Sequence, residues 1–84
     1  MDIKILGPGC SNCKTLYSRI EEALRDLSLV ATLEKVEDIQ RIMSYGIMST
    51  PGLVIDEKVV SQGRVFTVSK LKEILLETKK SESL

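Results

Sequence analysis

Apolar residues change period several times along this 84-residue chain, and each change marks an element. Ile3, Ile5 and Leu6 form a short β-rich run that stops at Gly7-Pro8-Gly9, the pattern of a buried strand ending in a loop. From Ser11 to Leu27 the period becomes helical. Leu16, Ile20, Ala23, Leu24 and Leu27 share one face, and Lys14, Ser18, Arg19, Glu22, Arg25 and Asp26 fill the other. Leu29, Ala31 and Leu33 then alternate with Val30, Thr32 and Glu34, which predicts a second strand with a wet outer face. Strand, helix and strand in this order imply a right-handed crossover.

Glu37 and Asp38 stand where a helix N-terminus favours negative charge, Ile39, Ile42 and Met43 share one face, and Gly46 is a C-terminal stop, so a second helix is predicted here. Beyond Thr50-Pro51-Gly52, the run Leu53-Val54-Ile55 is joined to Val59-Val60 by the polar Asp56-Glu57-Lys58, an antiparallel hairpin pattern. Val68, Leu71, Ile74 and Leu75 predict a last helix, capped by Thr67 or Ser69. The domain is expected over residues 1–77, with 78–84 a fraying polar tail. The order β-α-β-α-β-β-α gives an α/β fold, a four-stranded mixed sheet covered by three helices. Met43 and Met48 read as gap-filling core. Lys4, on a central strand, could lower a thiol pKa by proximity but is read as snorkelling from the sheet end to solvent.

Charge narrows the function classes. Twelve basic residues balance twelve acidic ones, so no field gathers nucleic acid or an anionic membrane, and protein or small-molecule partners remain. No apolar segment is long enough to span a bilayer, and the N-terminal stretch lacks the pattern of a secretory signal. The expected compartment is the cytoplasm, where a cysteine pair is more often catalytic or metal-binding than structural. Histidine is absent, which removes the commonest general base and the commonest metal ligand. Chemistry therefore rests on two cysteines.

Cys10-Ser11-Asn12-Cys13 falls where the first strand's loop meets the first helix. At a helix N-terminus, unpaired N–H groups and the macrodipole favour the thiolate, the form that attacks disulfides, so Cys10 is the expected nucleophile. Cys13, one turn on, is placed to resolve the mixed disulfide. Gly7 and Gly9 leave the approach to Cys10 without bulky side chains, so a partner backbone could come close. A purely structural staple is the weaker reading: so short a closed loop stabilises by about 2 kcal/mol, against about 4 to 5 for one of 100 residues.

Cys-x-x-Cys after a strand, with Gly46-Ile-Met-Ser-Thr-Pro-Gly-Leu-Val-Ile55 leading into a hairpin, resembles the thioredoxin and glutaredoxin superfamily over nearly the whole chain. The short length, the Gly-Pro-Gly-Cys-Ser-Asn-Cys site and the Gly63-Arg64-Val65 step most resemble the small thioredoxin-like proteins of archaea and bacteria. The resemblance implies a minimal fold with sheet order 2-1-3-4 and a cis-proline at Pro51 facing the dithiol. It also implies backbone pairing at Thr50 with an extended substrate segment, and a substrate rim completed by Gly9, Ser11 and Asn12. It further implies a monomer that needs no cofactor, acts on protein or small-molecule disulfides and is reduced by a flavoprotein disulfide reductase. The sequence departs from thioredoxin at the residues around the cysteines. Asn12 stands where glutaredoxin has a tyrosine, and Lys4 stands where thioredoxin has a buried acid.

The rival class is a soft-metal (Cu or Zn) chaperone-like module using the same two thiolates. Element order separates the two. A helix follows the second strand here, and Thr50-Pro51 precedes the hairpin.

Overall fold

The computed structural model describes residues 1–9 and 11–82, so Cys10 and residues 83–84 lie outside the described residues. The elements are β1 (Asp2–Leu6), α1 (Ser11–Leu27), β2 (Thr32–Val36), α2 (Ile39–Ser44), β3 (Gly52–Ile55), β4 (Lys58–Gln62) and α3 (Val68–Glu82). The strands form one sheet in the order β2-β1-β3-β4. β1 runs parallel to β2, with Leu6 opposite Val36, and antiparallel to β3, with Leu6 opposite Gly52. This is the minimal thioredoxin-like α/β arrangement that the sequence implies.

Alternation along the strands divides the core between the two faces of the sheet. Ile3, Ile5, Leu53 and Ile55 pack with Leu16, Ile20 and Ala23 of α1 and Leu71 and Leu75 of α3. Leu6, Val54 and Val36 pack with Ile42 of α2 on the other face. Helix α1 is long and its apolar stripe is wide, so one face is well covered. The other face has a helix of six residues, under two turns, and only Ile42 of that helix is buried. Gly46, at φ +76°, ends α2 with its N–H donating to the Met43 carbonyl at 2.9 Å.

Asp56 and Glu57 both take positive φ, the conformation of a two-residue hairpin turn between β3 and β4. Val59 and Val60 together oppose Val54, a β-bulge in β4. Thr67 rather than Ser69 caps α3, its hydroxyl accepting from the Lys70 N–H at 3.2 Å. The Thr78 hydroxyl donates to the Ile74 carbonyl, and α3 runs to Glu82.

Four expectations need correction. The second strand is Thr32–Val36; Leu29, Val30 and Ala31 precede it in the connection. Ile39 and Met43 are exposed, because so short a helix buries only one stripe. Met48 is 94% exposed, so neither it nor Met43 fills core. Lys4 does not reach out to solvent: its side chain is 11% exposed and ion-pairs with Glu57 and, at 3.3 Å, with Asp2.

The Lys4 cluster has a consequence for pH. The hydrogen bond from Lys4, with a second from the Tyr45 hydroxyl at 3.0 Å, holds the Glu57 carboxyl below its ordinary value. Asp2 is lowered too, first by the Thr32 hydroxyl and then by Lys4. A lowered carboxyl contributes stability that is fully present above its unfolded pKa and is lost as pH falls through the folded one. Glu57→Gln should therefore melt below the wild type near neutral pH, with the gap closing on acidification below about pH 4. Melting followed by circular dichroism across that range checks this. A gap that stays constant into acid would remove the ion pair as its cause.

Candidate functional site

Because β1 and β2 are parallel, both end at the same edge of the sheet, and the loop Gly7-Pro8-Gly9 lies beside the residues following Val36. The Gly7 N–H donates to the Val36 carbonyl at 2.9 Å, extending the pairing by one step. Helix α1 starts at Ser11, directly after Cys10 in sequence, and Cys13 is its third residue. Cys13 is 6% exposed and disulfide-bonded. The chain's other cysteine is Cys10.

The position of the Cys13 sulfur explains Gly7. A β-carbon built on Gly7 would overlap Cys13 Sγ, and it would lie 3.3 Å from Cys13 Cβ and 3.8 Å from Thr50 Cβ. The space beside Gly7 is therefore taken by the chain's own sulfur, not left for a partner backbone. The same contacts bring Thr50 to the cysteine-bearing turn. The Thr50–Pro51 peptide bond is cis, Pro51 is fully buried and Thr50 is exposed. Ser11 and Asn12 lie exposed on the first turn of α1, and Gly9 is half-buried with φ +90°.

The first turn of α1 contains no acidic residue, so its N–H groups and macrodipole have no carboxylate of their own helix to neutralise them. Charge arrives from neighbouring elements instead. A cavity of about 40 Å³ beside Cys13 is lined by Ile5, Gly7, Gly9 and three charged side chains, Lys14, Lys35 and Glu37. Glu37 Oε2 comes within 3.1 Å of the β-carbon position on Gly9. The Lys35 ammonium lies 4.6 Å over the Tyr17 ring. Lys4 plays no part here. It shares the α2 face of β1 with Leu6, whereas Cys13 packs on the Ile5 face.

Two residues near the site escaped the sequence reading. Glu37 read only as a helix-start charge. The parallel pairing of β1 and β2 is the signal that sets the residue after Val36 beside the residues after Leu6. Gln62, the last residue of β4, accepts hydrogen bonds through Oε1 from the backbone N–H groups of Met48, at 2.7 Å, and Ser49, at 3.3 Å. No sequence pattern marks it.

This geometry can support exchange between thiols and disulfides: a buried sulfur close to a helix N-terminus, with an exposed backbone segment beside it. Comparison with known proteins agrees. A thioredoxin-domain family profile matches residues 1–76. A protein named thioredoxin from Methanothermobacter thermautotrophicus is 36% identical over 75 residues, covering 89% of this chain and 97% of its own length. A thioredoxin from Methanocaldococcus jannaschii is 33% identical over 73 residues, covering 87% of this chain and 84% of its own length. Fold, site and relatives together place the chain in the thioredoxin family of redox proteins.

Proposed function

We propose that the chain is a dithiol–disulfide oxidoreductase in which Cys10 attacks a substrate disulfide and Cys13 resolves the product. The observation that carries this reading is Cys13 itself, buried and already disulfide-bonded at the third position of a 17-residue helix. The Cys10 thiolate attacks one sulfur of the substrate. The substrate S–S bond breaks, a mixed disulfide forms, and the leaving thiolate takes a proton from solvent. Cys13 then loses its proton and attacks the Cys10 sulfur. The mixed disulfide breaks, the Cys10–Cys13 bond forms, and the second substrate thiolate leaves and is protonated. Two electrons pass from the dithiol to the substrate, which leaves as two thiols.

The helix N-terminus favours the thiolate at Cys10, and burial of Cys13 keeps the second thiol from reacting ahead of the first. An extended substrate segment pairs with the Thr50 backbone, Pro51 closes the floor of the site, and Gly9, Ser11 and Asn12 form its rim. Substrates are protein or small disulfides. A flavoprotein disulfide reductase returns the pair to the dithiol form, and a reducing compartment, the cytoplasm, suits a monomer working in this direction.

Trapping tests the assignment. Cys13→Ser should accumulate substrates as mixed disulfides on Cys10, visible as reducible adducts by mass spectrometry, whereas Cys10→Ser should trap little. Undiminished insulin reduction by Cys10→Ser would overturn the proposal.

A further inference from the structure

We infer that Gln62 is a positioning residue, which sets the backbone of Met48-Ser49-Thr50 in the orientation that a protein substrate pairs with. The inference rests on the disulfide-exchange reading above and adds to it what holds the pairing segment. Residues 47–50 have no regular secondary structure, yet they lead directly into Pro51 beside the Cys13 turn. One side-chain oxygen of Gln62 receives two successive N–H groups from this segment, Met48 at 2.7 Å and Ser49 at 3.3 Å. Two successive N–H groups converging on one acceptor restrain the backbone torsions at Met48, and with them the path along which the chain enters Thr50.

The next residue of the chain locks the same segment from its other end. The Gly63 N–H donates to the Pro51 carbonyl at 2.9 Å, and a β-carbon on Gly63 would lie only 2.9 Å from Ser49 Cβ. Side chain and backbone at the end of β4 therefore grip residues 48–51 together. Gln62, Met48, Ser49 and Thr50 are all exposed. Hydrogen bonds in water add little to folding stability, because each replaces a bond to solvent. They matter more for binding, where a segment ordered in advance loses less conformational freedom when a partner docks. The tether also holds the backbone of Met48, whose side chain stands 94% exposed.

The role requires only an acceptor at this position, which gives a selective test. Gln62→Met keeps length without an acceptor, and Gln62→Glu keeps the oxygen. For each variant and the wild type, reduction of insulin disulfides is followed with dithiothreitol as electron donor, and reaction with 5,5′-dithiobis(2-nitrobenzoic acid) is followed in a single turnover of the pre-reduced protein after dithiothreitol has been removed, because dithiothreitol reduces that disulfide directly. The aromatic disulfide has no polypeptide to pair with Thr50. Gln62→Met is expected to raise KM for insulin roughly tenfold, the cost of ordering one to two residues on binding, with kcat and small-disulfide turnover unchanged. Gln62→Glu should stay near wild type on both substrates. Equal losses on the two substrates, no change in Gln62→Met, or a Gln62→Glu variant as impaired as Gln62→Met would each overturn the inference. A wild type inert on both substrates would instead overturn the disulfide-exchange reading, and this inference with it.

Discussion

Alanine at Gly7 is expected to destabilise the oxidised protein by about 3 kcal/mol, the upper part of the usual range for overpacking. Neither side of the clash can give way easily. The Gly7 backbone is pinned by its bond to the Val36 carbonyl, and α1 is anchored by Leu16, Ile20 and Ala23, all at or near zero exposure. The added methyl would overlap the Cys13 sulfur, which a disulfide holds in place. In the dithiol the sulfur can turn to another rotamer, so the reduced form should lose less. The variant should therefore bind its disulfide less tightly than the wild type and equilibrate toward the dithiol. Urea midpoints measured with and without reductant check this. Equal losses in the two redox states would show that the contact with sulfur is not the cause.

Leu16→Ala is expected to cost about 3 kcal/mol, the middle of the range for deleting a buried leucine side chain. Leu16 lies at zero exposure one turn beyond Cys13, among Ile3, Ile5, Ile20 and Leu53. A chain of this length has a total stability of roughly 4 to 13 kcal/mol, so one such cavity removes a large share. It would also loosen the turn that carries Cys13, making that residue more open to alkylation in the reduced protein. The measurement is the urea midpoint at unchanged slope, alongside the alkylation rate of Cys13 in a Cys10→Ser background. A loss below about 1 kcal/mol would mean the site collapses around the cavity and that α1 is held elsewhere.

Much of the fold was legible because its strongest signals are local. The Ser11–Leu27 helix follows from a sustained 3.6-residue period, and the hairpin from apolar runs around a polar turn. The alternation that marks the second strand begins at Leu29, three residues before the strand itself. Leu29, Ala31 and Leu33 do alternate, but the chain first leaves α1 through Ser28 at φ +53° and a bond from the Leu29 N–H to the Leu24 carbonyl. Pairing with β1 then begins at Thr32. The pairing of Lys4 is not legible in the sequence, because its partners are Glu57 and Asp2 and the first of these is 53 residues away. The cysteine pair stood out from sequence alone, since its chemistry is written in residue type and spacing. The surroundings of Cys13 did not, because the fit of its sulfur beside Gly7, the approach of Glu37 to Gly9 and the reach of Gln62 all arise from the sheet order.

The bulge at Val59-Val60 bears on a hazard unrelated to the site. β4 is an outer strand of the sheet, and its two adjacent valines are each about two-fifths exposed. A flat apolar edge of this kind offers free N–H and C=O groups to any other extended chain and can seed intermolecular sheets. Two residues facing one partner break that ladder and add twist, and Lys58 puts a charge at the start of the strand. The irregularity thus guards against self-association along this edge, in a protein proposed to bring extended polypeptides to the neighbouring segment at Thr50.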